Sequence, residues 1–425
     1  MTTTTLQKPV WPKRLTVLIL TFVAFVICYL DRVNISIAAI SMQQELGWTD
    51  VTKGYVFSFF FWGYLTMQVG AGYLSNRFGG KLILGWAVVF WSIFTVLTPP
   101  AAFMSIPALL AVRFLMGVGE AGLSPSSFTM VSRWFPHNER SRVMSFLSSG
   151  TIFGTLLALL LAPKIIEIYD WPMVFYSFGA LGFIWVIFWY WQVKDLPDQH
   201  PTISEYERNL ISEGGGVKER ASSIPWSKIA RAKPVWALCA TGFAASWTMY
   251  IFLSWLPSYF ADVHGLNLAS AGIYALAPWI VMFVMLNVGG WIADTMITRG
   301  VSTTKTRKIL IVGGLLGSAI FVFFLRGVAT PAAATAMMSA AMGILAVAYG
   351  GLVPNCLDVA PRFADIVYGT VNTFGTLAGA LGAIVAGYVV QKTGAYDYVF
   401  GLTAIISVLG ALIYFALGKG QTIID

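Results

Sequence analysis

The chain has 425 residues, of which 57% are hydrophobic and only 11% are charged. A soluble domain is about 25% charged, and the mean hydropathy of this chain is +0.73. These values exclude a water-soluble enzyme, a disordered chain and a secreted disulfide scaffold. A membrane-spanning helix needs roughly 20 residues, so the sequence predicts an all-α membrane protein with about twelve spans and short connections.

Twelve apolar segments follow one another along the chain. The predicted spans are residues 16–41, 52–75, 81–98, 106–132, 142–163, 172–193, 235–261, 270–295, 308–326, 332–357, 365–390 and 397–417. With a cytoplasmic N-terminus, 21 of the 27 Lys and Arg residues fall on the cytoplasmic side, four on the other side and two inside spans. Cytoplasmic loops collect Lys and Arg, and a missed span would reverse every later loop. The asymmetry therefore predicts that both termini are cytoplasmic, and it accounts for the net charge of +8 without a nucleic-acid partner.

One long hydrophilic stretch, residues 195–233, separates two sets of six predicted spans. We expect an N-terminal six-helix bundle over 1–194 and a C-terminal six-helix bundle over 234–425. Within the stretch, Thr202 precedes Glu205 by three residues, which is the spacing of a capping box at the start of a short helix. Gly214, Gly215 and Gly216 are expected to end that helix. We interpret the stretch as a cytoplasmic linker, with a regulatory partner site as the alternative.

Short sequence matches relate the two sets of spans. The segment Gly72-Tyr73-Leu74-Ser75-Asn76 in span 2 is matched by Gly290-Trp291-Ile292-Ala293-Asp294 in span 8, at an offset of 218 residues. The segment Phe153-Gly154-Thr155-Leu156 in span 5 is matched by Phe374-Gly375-Thr376-Leu377 in span 11, at an offset of 221. Two matches at nearly one offset indicate a duplicated six-span unit, in which Thr151 corresponds to Asn372.

The loop after span 2 continues from Asn76 as Arg77-Phe78-Gly79-Gly80-Lys81. This segment resembles the pattern G-x-x-x-D-R-x-G-x-[KR] that the major facilitator superfamily carries between spans 2 and 3. Glycines permit a tight turn there, and the cations can bind helix C-termini or a carboxylate. The resemblance implies a gate that includes Asn76, Arg77 and Lys81, with Asp294 and Arg299 in the second copy. Asn76 replaces the usual Asp, so we expect weaker bonding in the first half.

Four charged residues lie inside predicted spans: Asp31 and Arg32 in span 1, and Arg113 and Glu120 in span 4. Charges in a bilayer are costly, and they usually face a wet cavity and serve a function. Arg113 and Glu120 are seven residues apart and therefore share one helix face. An Arg can clamp a carboxylate with two hydrogen bonds, and protonation of Asp31 or Glu120 would free an Arg for an anion. The alternative is a structural ion-pair network that fixes helix packing.

Further segments resemble the anion:cation symporter branch of the same superfamily. They are Tyr29-Leu30-Asp31-Arg32-Val33-Asn34, Phe61-Trp62-Gly63-Tyr64, Arg113-Phe114-Leu115-Met116-Gly117-Val118-Gly119-Glu120, Trp134-Phe135-Pro136, Glu139-Arg140-Ser141, Leu253-Ser254-Trp255-Leu256-Pro257-Ser258-Tyr259, Asp358-Val359-Ala360-Pro361-Arg362 and Asn372-Thr373. The branch includes bacterial sugar-acid transporters, vesicular glutamate and sialic acid transporters, and plant plastid phosphate and anion transporters. The resemblance implies the major facilitator fold.

The resemblance also implies roles for particular residues. In sugar-acid members the matching acids, Asp31 and Glu120 here, are linked to the proton, and the matching Arg32 binds substrate. Tyr64 and Asn372 match positions that contact the ligand. Thr151 stands where galactonate-type members carry a polar amide. Ala245 stands where vesicular glutamate members carry an Arg, which disfavours glutamate.

Other residues complete the candidate substrate site. Arg113 is a second candidate anion-binding cation, and Tyr29, Tyr64, Trp247 and Tyr250 are candidate aromatic contacts for a ring, although each could equally be packing. The cysteines Cys28, Cys239 and Cys356 lie in apolar runs, where we interpret them as small buried hydrophobic residues. The sequence carries no spacing typical of a metal site, and we expect no cofactor apart from a coupling ion.

These observations predict a proton-coupled symporter of a small organic anion, such as a sugar acid, that works by alternating access. The alternatives are a sodium-coupled or facilitated transporter of phosphate or an aromatic carboxylate, and a membrane sensor that has lost transport. The sequence lacks the motifs of a membrane enzyme. We expect a monomer in the lipid bilayer, and the compact loops with no transit-like leader favour a bacterial inner membrane.

Overall fold

The computed structural model describes residues 11–213 and 225–424, and the regular secondary structure in these ranges is helical. The helices, numbered in chain order, are α1 (Lys13–Leu46), α2 (Asp50–Phe78), α3 (Gly80–Met104), α4 (Ile106–Glu120), α5 (Leu123–Trp134), α6 (His137–Tyr169), α7 (Pro172–Gln192), α8 (Glu205–Glu213), α9 (Trp226–Arg231), α10 (Lys233–His264), α11 (Leu268–Thr298), α12 (Thr303–Phe324), α13 (Pro331–Val359), α14 (Ala364–Thr393) and α15 (Asp397–Leu417). This order confirms the predicted all-α membrane protein.

Each predicted span lies on a helix, and α4 and α5 together form the fourth. Within the described ranges, eleven helical segments are long and apolar enough to cross a membrane. The twelfth, α2, has 29 residues and carries more polar side chains. Most helices extend beyond the predicted spans, because hydropathy detects only the apolar part of a helix that lies in the bilayer core. At 1.5 Å per residue, the 34 residues of α1 exceed the roughly 30 Å of a bilayer core.

The fourth span is broken, whereas the sequence predicted one continuous segment over 106–132. Helix α4 ends at Glu120, and the amide of Gly122 donates to the carbonyl of Gly119 at 3.2 Å, a tight turn between α4 and α5. A Cβ on Gly119 would lie 3.0 Å from the backbone nitrogen of Trp91 in α3. The glycines therefore bring α3 against the break, and Glu120 sits at a helix end in the middle of the span.

Two compact units divide the chain. The first comprises the described parts of Met1–Arg32, Gly63–Ala158 and Pro172–Arg220. The second comprises Val33–Trp62, Leu159–Trp171 and the described part of Ala221–Asp425. These units cut across individual helices, so the bundle boundaries expected from the sequence stay predictions.

Both copies of the repeated Phe-Gly-Thr-Leu segment make the same kind of contact. In the first unit, a Cβ on Gly154 of α6 would clash with the carbonyl of Val26 in α1. In the second unit, a Cβ on Gly375 of α14 would lie 2.6 Å from Ser246 Oγ in α10. The fifth span of each half thus packs on the first span of that half through a glycine, as a duplicated unit requires.

The linker helix α8 begins at Glu205, two residues later than the capping-box spacing predicts, and it has a different cap. Ser204 Oγ accepts from the amide of Glu207 at 3.2 Å, so Ser204 is the cap and the prediction of Thr202 was wrong. The amide of Thr202 instead donates to His200 Nδ1 at 3.3 Å. The predicted helix terminator, Gly214–Gly216, lies outside the described residues.

Helix α8 is anchored to the first span. The Glu207 carboxylate accepts from the backbone amides of Lys13 and Arg14, at 3.0 and 2.7 Å, which are unpaired donors at the start of α1. The ring of His200 packs edge-on against Trp134, and this burial lowers the pKa of His200. The described part of the linker therefore packs on the first unit.

Candidate functional site

The centre of the first unit holds an ion pair between Arg32 of α1 and Glu120 at the end of α4. Arg32 Nη2 and Nε donate to Glu120 Oε2 at 2.7 and 3.0 Å. Cys28, one turn before Arg32, donates its thiol to the same oxygen at 3.1 Å. Glu120 Oε1 is buried and has no hydrogen-bond partner among the described residues. The carboxylate thus has three donors on one oxygen and none on the other.

Two tyrosines flank the Arg32 guanidinium. Its Cζ lies 4.6 Å from the ring centroid of Tyr29 and 5.3 Å from that of Tyr64. Arg32 Nη1 also donates to the Tyr29 hydroxyl at 3.3 Å. Aromatic rings attract a cation electrostatically and present hydroxyls at their edges. Arg32, Tyr29 and Tyr64, which the sequence placed in one substrate site, are therefore in contact.

Asp31 and Arg113 complete the buried charge set, which we define as Asp31, Arg32, Arg113 and Glu120. Asp31 is 0% exposed, and the side chains of Trp91 and Thr95 in α3 are the hydrogen-bond donors that face its carboxylate. Its charged neighbours are Glu120 and Arg113. Arg113 is 2% exposed, and its Nη1 points at Met116 Sδ at 3.1 Å. All four residues belong to the first unit and are buried, and Arg32, at 9%, is the most exposed of them.

The remaining predicted substrate residues make other contacts. Trp247 of α10 is buried, and its Nε1 donates to Thr403 Oγ1 of α15 at 3.2 Å, so its polar edge is engaged in the second unit. Tyr250 packs against Phe61, with ring centroids 4.6 Å apart. Thr151 in the first unit donates its hydroxyl to its own helix, at the carbonyl of Ser148. Asn372 lies on α14 in the second unit and is partly exposed.

The predicted gate residues of the first half bond within their own surroundings. Asn76 Nδ2 donates to the carbonyl of Gly72 at 2.8 Å, and Arg77 Nη1 donates to the Tyr73 hydroxyl at 2.8 Å. The Lys81 ammonium lies 3.5 Å from the carbonyl of Tyr190. Each of these contacts is either intrahelical or to a backbone carbonyl.

Asp195, just after α7, supplies the carboxylate that the loop after span 2 lacks. It accepts from the amide of Lys81 at 3.0 Å and forms an ion pair with Arg133 at the end of α5. A Cβ on Gly79 would lie 2.7 Å from the same carboxylate. Asp195 therefore caps the start of α3 and ties it to α5, a role that the sequence had assigned to no residue.

In the second half, the predicted Asp294 and Arg299 form no ion pair with each other within the described part of the chain. Arg307 Nε donates instead to Asp358 at 2.7 Å. Asn355 Nδ2 reaches the same carboxylate at 3.3 Å and the Lys419 carbonyl at 3.0 Å. The acidic partner of Arg307 is therefore Asp358 of α13, whereas the sequence had pointed to Asp294 of α11.

Lys53, near the start of α2, is 0% exposed within the second unit. Its ammonium lies 2.8 Å from Gln43 Oε1, 3.1 Å from the Asp50 carboxylate and 3.9 Å from the Asp262 carboxylate of α10. The Trp255 ring centroid lies 4.9 Å from the same nitrogen. We call these five residues the Lys53 cluster. It joins the first part of α2 to the end of α10.

Beside the Lys53 cluster, α2 and α14 touch along their backbones. A Cβ on Gly54 would lie 2.7 Å from the carbonyl oxygen of Ala383. Ser58 Oγ donates to the carbonyl of Ala380 at 2.8 Å. The same end of α2 is therefore held to α10 by charge and to α14 by close packing.

Replacing Lys53 with Met is expected to lower the thermal stability of the purified protein in detergent. The change leaves the Asp50 and Asp262 carboxylates without their shared cation, at a cost of about 1–3 kcal/mol because both remain partly exposed. The exposed Lys164→Met is the control. A cycle with Asp262→Asn should give a coupling energy of about 0.5 kcal/mol or more. Equal melting of the Lys53 and Lys164 variants would show that the cluster is not stabilising.

The sequence patterns did not predict the contacts of three residues in these sites. Lys53 stands at the edge of predicted span 2 and counts with the non-cytoplasmic cations, Cys28 lies in an apolar run, and Asp195 falls at the start of the predicted linker. The departure at Asn76 was the one available signal for Asp195, because a missing acid in a basic turn implies a substitute elsewhere. Cys28 lies four residues before Arg32, on the same helix face, and that spacing could have linked it to the charge set.

Long apolar helices that enclose charged side chains near the middle of two spans are typical of a multi-pass membrane protein with a functional site inside the bilayer. The chain matches the Major Facilitator Superfamily over residues 21–383 and belongs to that family. This confirms the resemblance drawn from the sequence motifs. Because this is a family of transporters, the prediction that the chain is not an enzyme is also confirmed.

Comparison with known proteins identifies similar chains. The chloroplastic ascorbate transporter of Arabidopsis thaliana is 40% identical over 421 residues, covering 98% of this chain and 78% of that protein. The chloroplastic sodium-dependent phosphate transport protein 1 of the same plant is 40% identical over 415 residues, covering 98% and 81%. A bacterial homolog of the human lysosomal transporter Spinster, solved in an inward-facing and occupied conformation, shares the fold with a TM-score of 0.79 at 18% identity, covering 96% and 97%.

Proposed function

We propose that the protein is a proton-coupled symporter of a small organic anion that works by alternating access. One observation carries the proposal: the Nε and Nη2 donors of Arg32 are both engaged by one oxygen of Glu120, while the other oxygen is buried and accepts no hydrogen bond from any described residue. This pair of donors can bind an anion only if Glu120 releases it. A proton on Glu120 is the simplest way to make that happen.

The coupling follows from charge. Ionised Glu120 holds Arg32 by two charge-assisted hydrogen bonds, and a proton on Oε1 would remove the negative charge that holds them. The released guanidinium can then bind a carboxylate or phosphate with its planar fork. Proton and anion would therefore bind together. Without the proton, the substrate must compete with a carboxylate that is already in place.

Asp31 and Arg113 would act as the second acid and cation. The buried charge set is neutral when both acids are ionised and carries two positive charges when both are protonated. An ionised carboxylate is costly in a buried place, and Asp31 is 0% exposed, which supports it as a second proton-binding group. Arg113 would balance that charge or contribute to holding the anion.

Alternating access is supported by the Lys53 cluster. The positive-inside rule assigns this end of α2 to the face away from the cytoplasm. The charge and backbone contacts there would close the pathway on that face, and their release would open it. The gate residues Asn76, Arg77, Lys81, Asp294 and Arg299 would act at the opposite face, where Asp195 and Asp358 supply the carboxylates.

The names of the relatives bear on substrate and membrane. Both are anion transporters, one for ascorbate, which is an organic anion, and one for phosphate. Both are chloroplast proteins, which weighs against the bacterial inner membrane predicted from the sequence. We keep a small anion with hydroxyl groups as the proposed substrate, a monomer as the proposed state, and a multi-pass membrane location.

Sodium-coupled phosphate transport is the second candidate function, and the phosphate relative favours it. The same Arg32 fork could bind phosphate. The two candidates differ in the ion whose gradient drives uptake.

The test begins with a thermal-shift screen of the purified protein against ascorbate, gluconate, benzoate, glutamate, sialic acid and phosphate. A ligand that binds the folded state raises the melting temperature by mass action, and we call the strongest of these the selected anion. Uptake of the selected anion is then measured in proteoliposomes under an inward proton or sodium gradient. Accumulation driven by protons alone is expected. Accumulation driven by sodium alone would overturn proton coupling, and binding without flux would indicate a sensor.

A further inference from the structure

Cys28 is buried next to the acid that the proposed function uses. Its Sγ lies 3.1 Å from Glu120 Oε2 and 3.9 Å from Arg32 Nη2, and the residue is 0% exposed. The other two cysteines differ. The thiol of Cys356 donates to a carbonyl of its own helix at 3.6 Å, and Cys239 is buried in the second unit. Of the three thiols, that of Cys28 lies within hydrogen-bond distance of a charged side chain in the described part of the chain.

The two residues that donate to Glu120 Oε2, Arg32 and Cys28, would have different roles in the proposed transport cycle. Arg32 must leave the carboxylate to bind an anion. The Cys28 thiol does not have to bind the anion. The helix fixes its position on α1, one turn before Arg32. A proton on the bare Oε1 would leave Oε2 free to keep accepting from the thiol.

We propose that Cys28 is a positioning residue that holds the Glu120 carboxyl in place when Arg32 releases it, and that it sets the pH at which Glu120 binds its proton. This inference rests on the proposed proton coupling. While Glu120 is ionised, the thiol helps to stabilise its charge. After protonation, the thiol keeps the carboxyl from turning toward the freed guanidinium.

The surrounding charges define the setting in which this thiol acts. The titratable or charged groups that face the Cys28–Glu120 pair are Asp31 and Arg32 of α1 and Arg113 of α4, with Tyr29 and Tyr64 beyond Arg32. On the side of α3, Trp91 packs against the neighbouring Gly119 and does not titrate. None of these groups changes when Cys28 is replaced, so a change in titration reports the thiol itself.

Infrared difference spectroscopy of the purified protein in detergent, with no added anion, tests the proposal. The carboxyl band of Glu120 is identified by its loss in Glu120→Gln and is followed as the pH is lowered. In Cys28→Ala the midpoint of this band is expected to move to higher pH by roughly one unit, a tenfold change in proton binding. Cys28→Ser keeps a hydrogen-bond donor, so its midpoint should stay close to that of the wild type. Cys356→Ala should not move the midpoint.

An unchanged midpoint in Cys28→Ala would overturn the proposal. If that variant does not fold, the S–H stretching band of the native Cys28, assigned by its loss in Cys28→Ser, gives the same answer. This band is expected to shift as Glu120 takes up its proton, and a band that is independent of pH would overturn the proposal. Failure of the proposed function would give a different result: the wild type would show no proton-driven uptake. The midpoint of the Glu120 band could still move in Cys28→Ala in that case.

Discussion

Replacing Glu120 with glutamine is expected to abolish accumulation of the selected anion under a proton gradient, a loss of at least about tenfold. Glutamine mimics the protonated acid in shape and in lack of charge, but it cannot release a proton. Arg32 is then no longer held by a carboxylate. Exchange of labelled for unlabelled anion across the same liposomes should therefore persist.

The control for this variant is Glu167→Gln, which removes an exposed carboxylate from α6. It should accumulate the anion as the wild type does. Proton-driven accumulation by Glu120→Gln at the wild-type level would contradict the role given to this acid. Loss of exchange as well as accumulation would indicate that Glu120 has a structural role in place of coupling.

Replacing Arg32 with lysine is expected to weaken binding of the selected anion by roughly 10- to 150-fold. The change keeps the positive charge but removes the planar fork, and each hydrogen bond to a charged group contributes about 1.5–3 kcal/mol. The contacts with the Tyr29 and Tyr64 rings are also lost. The loss should appear in KM for uptake and in the dissociation constant from the thermal-shift titration.

Arg208→Lys is the matched control, because Arg208 pairs with Asp198 on an exposed part of the linker. It should leave KM unchanged. Wild-type affinity in Arg32→Lys would show that a simple positive charge suffices, and Arg113 would then be the better candidate for the anion-binding cation.

Hydropathy and charge placement predicted most of the fold. A bilayer imposes one length scale and one charge rule, and both can be read along a single chain. The same reasoning identified four buried charges, because a charge inside an apolar run is costly and its position can be read from the sequence. They are Asp31, Arg32, Arg113 and Glu120. The motif resemblance then led to the family, which the match over residues 21–383 confirms.

The contacts within the site depend on information that a single chain does not carry. Two acids and two cations allow several pairings, and the structure selects Arg32 with Glu120 because the break after Glu120 brings that helix end toward α1. Similarly, Lys53 stands at the edge of predicted span 2, and only the packing of the helices brings Asp262 of α10 close to it. Asp195 is distant in sequence from Lys81 and Arg133. Pairings of this kind are set by helix packing.

The central claim is that one acid holds the anion-binding guanidinium until a proton replaces it. Proton uptake on anion binding tests this most directly, measured with a pH indicator as the selected anion is added to unbuffered purified protein. Because coupling is reciprocal, the wild type should take up protons and should bind the anion more tightly as the pH falls, and Glu120→Gln should show less uptake. Saturating anion binding to the wild type with no proton uptake, and with an affinity independent of pH, would contradict the account.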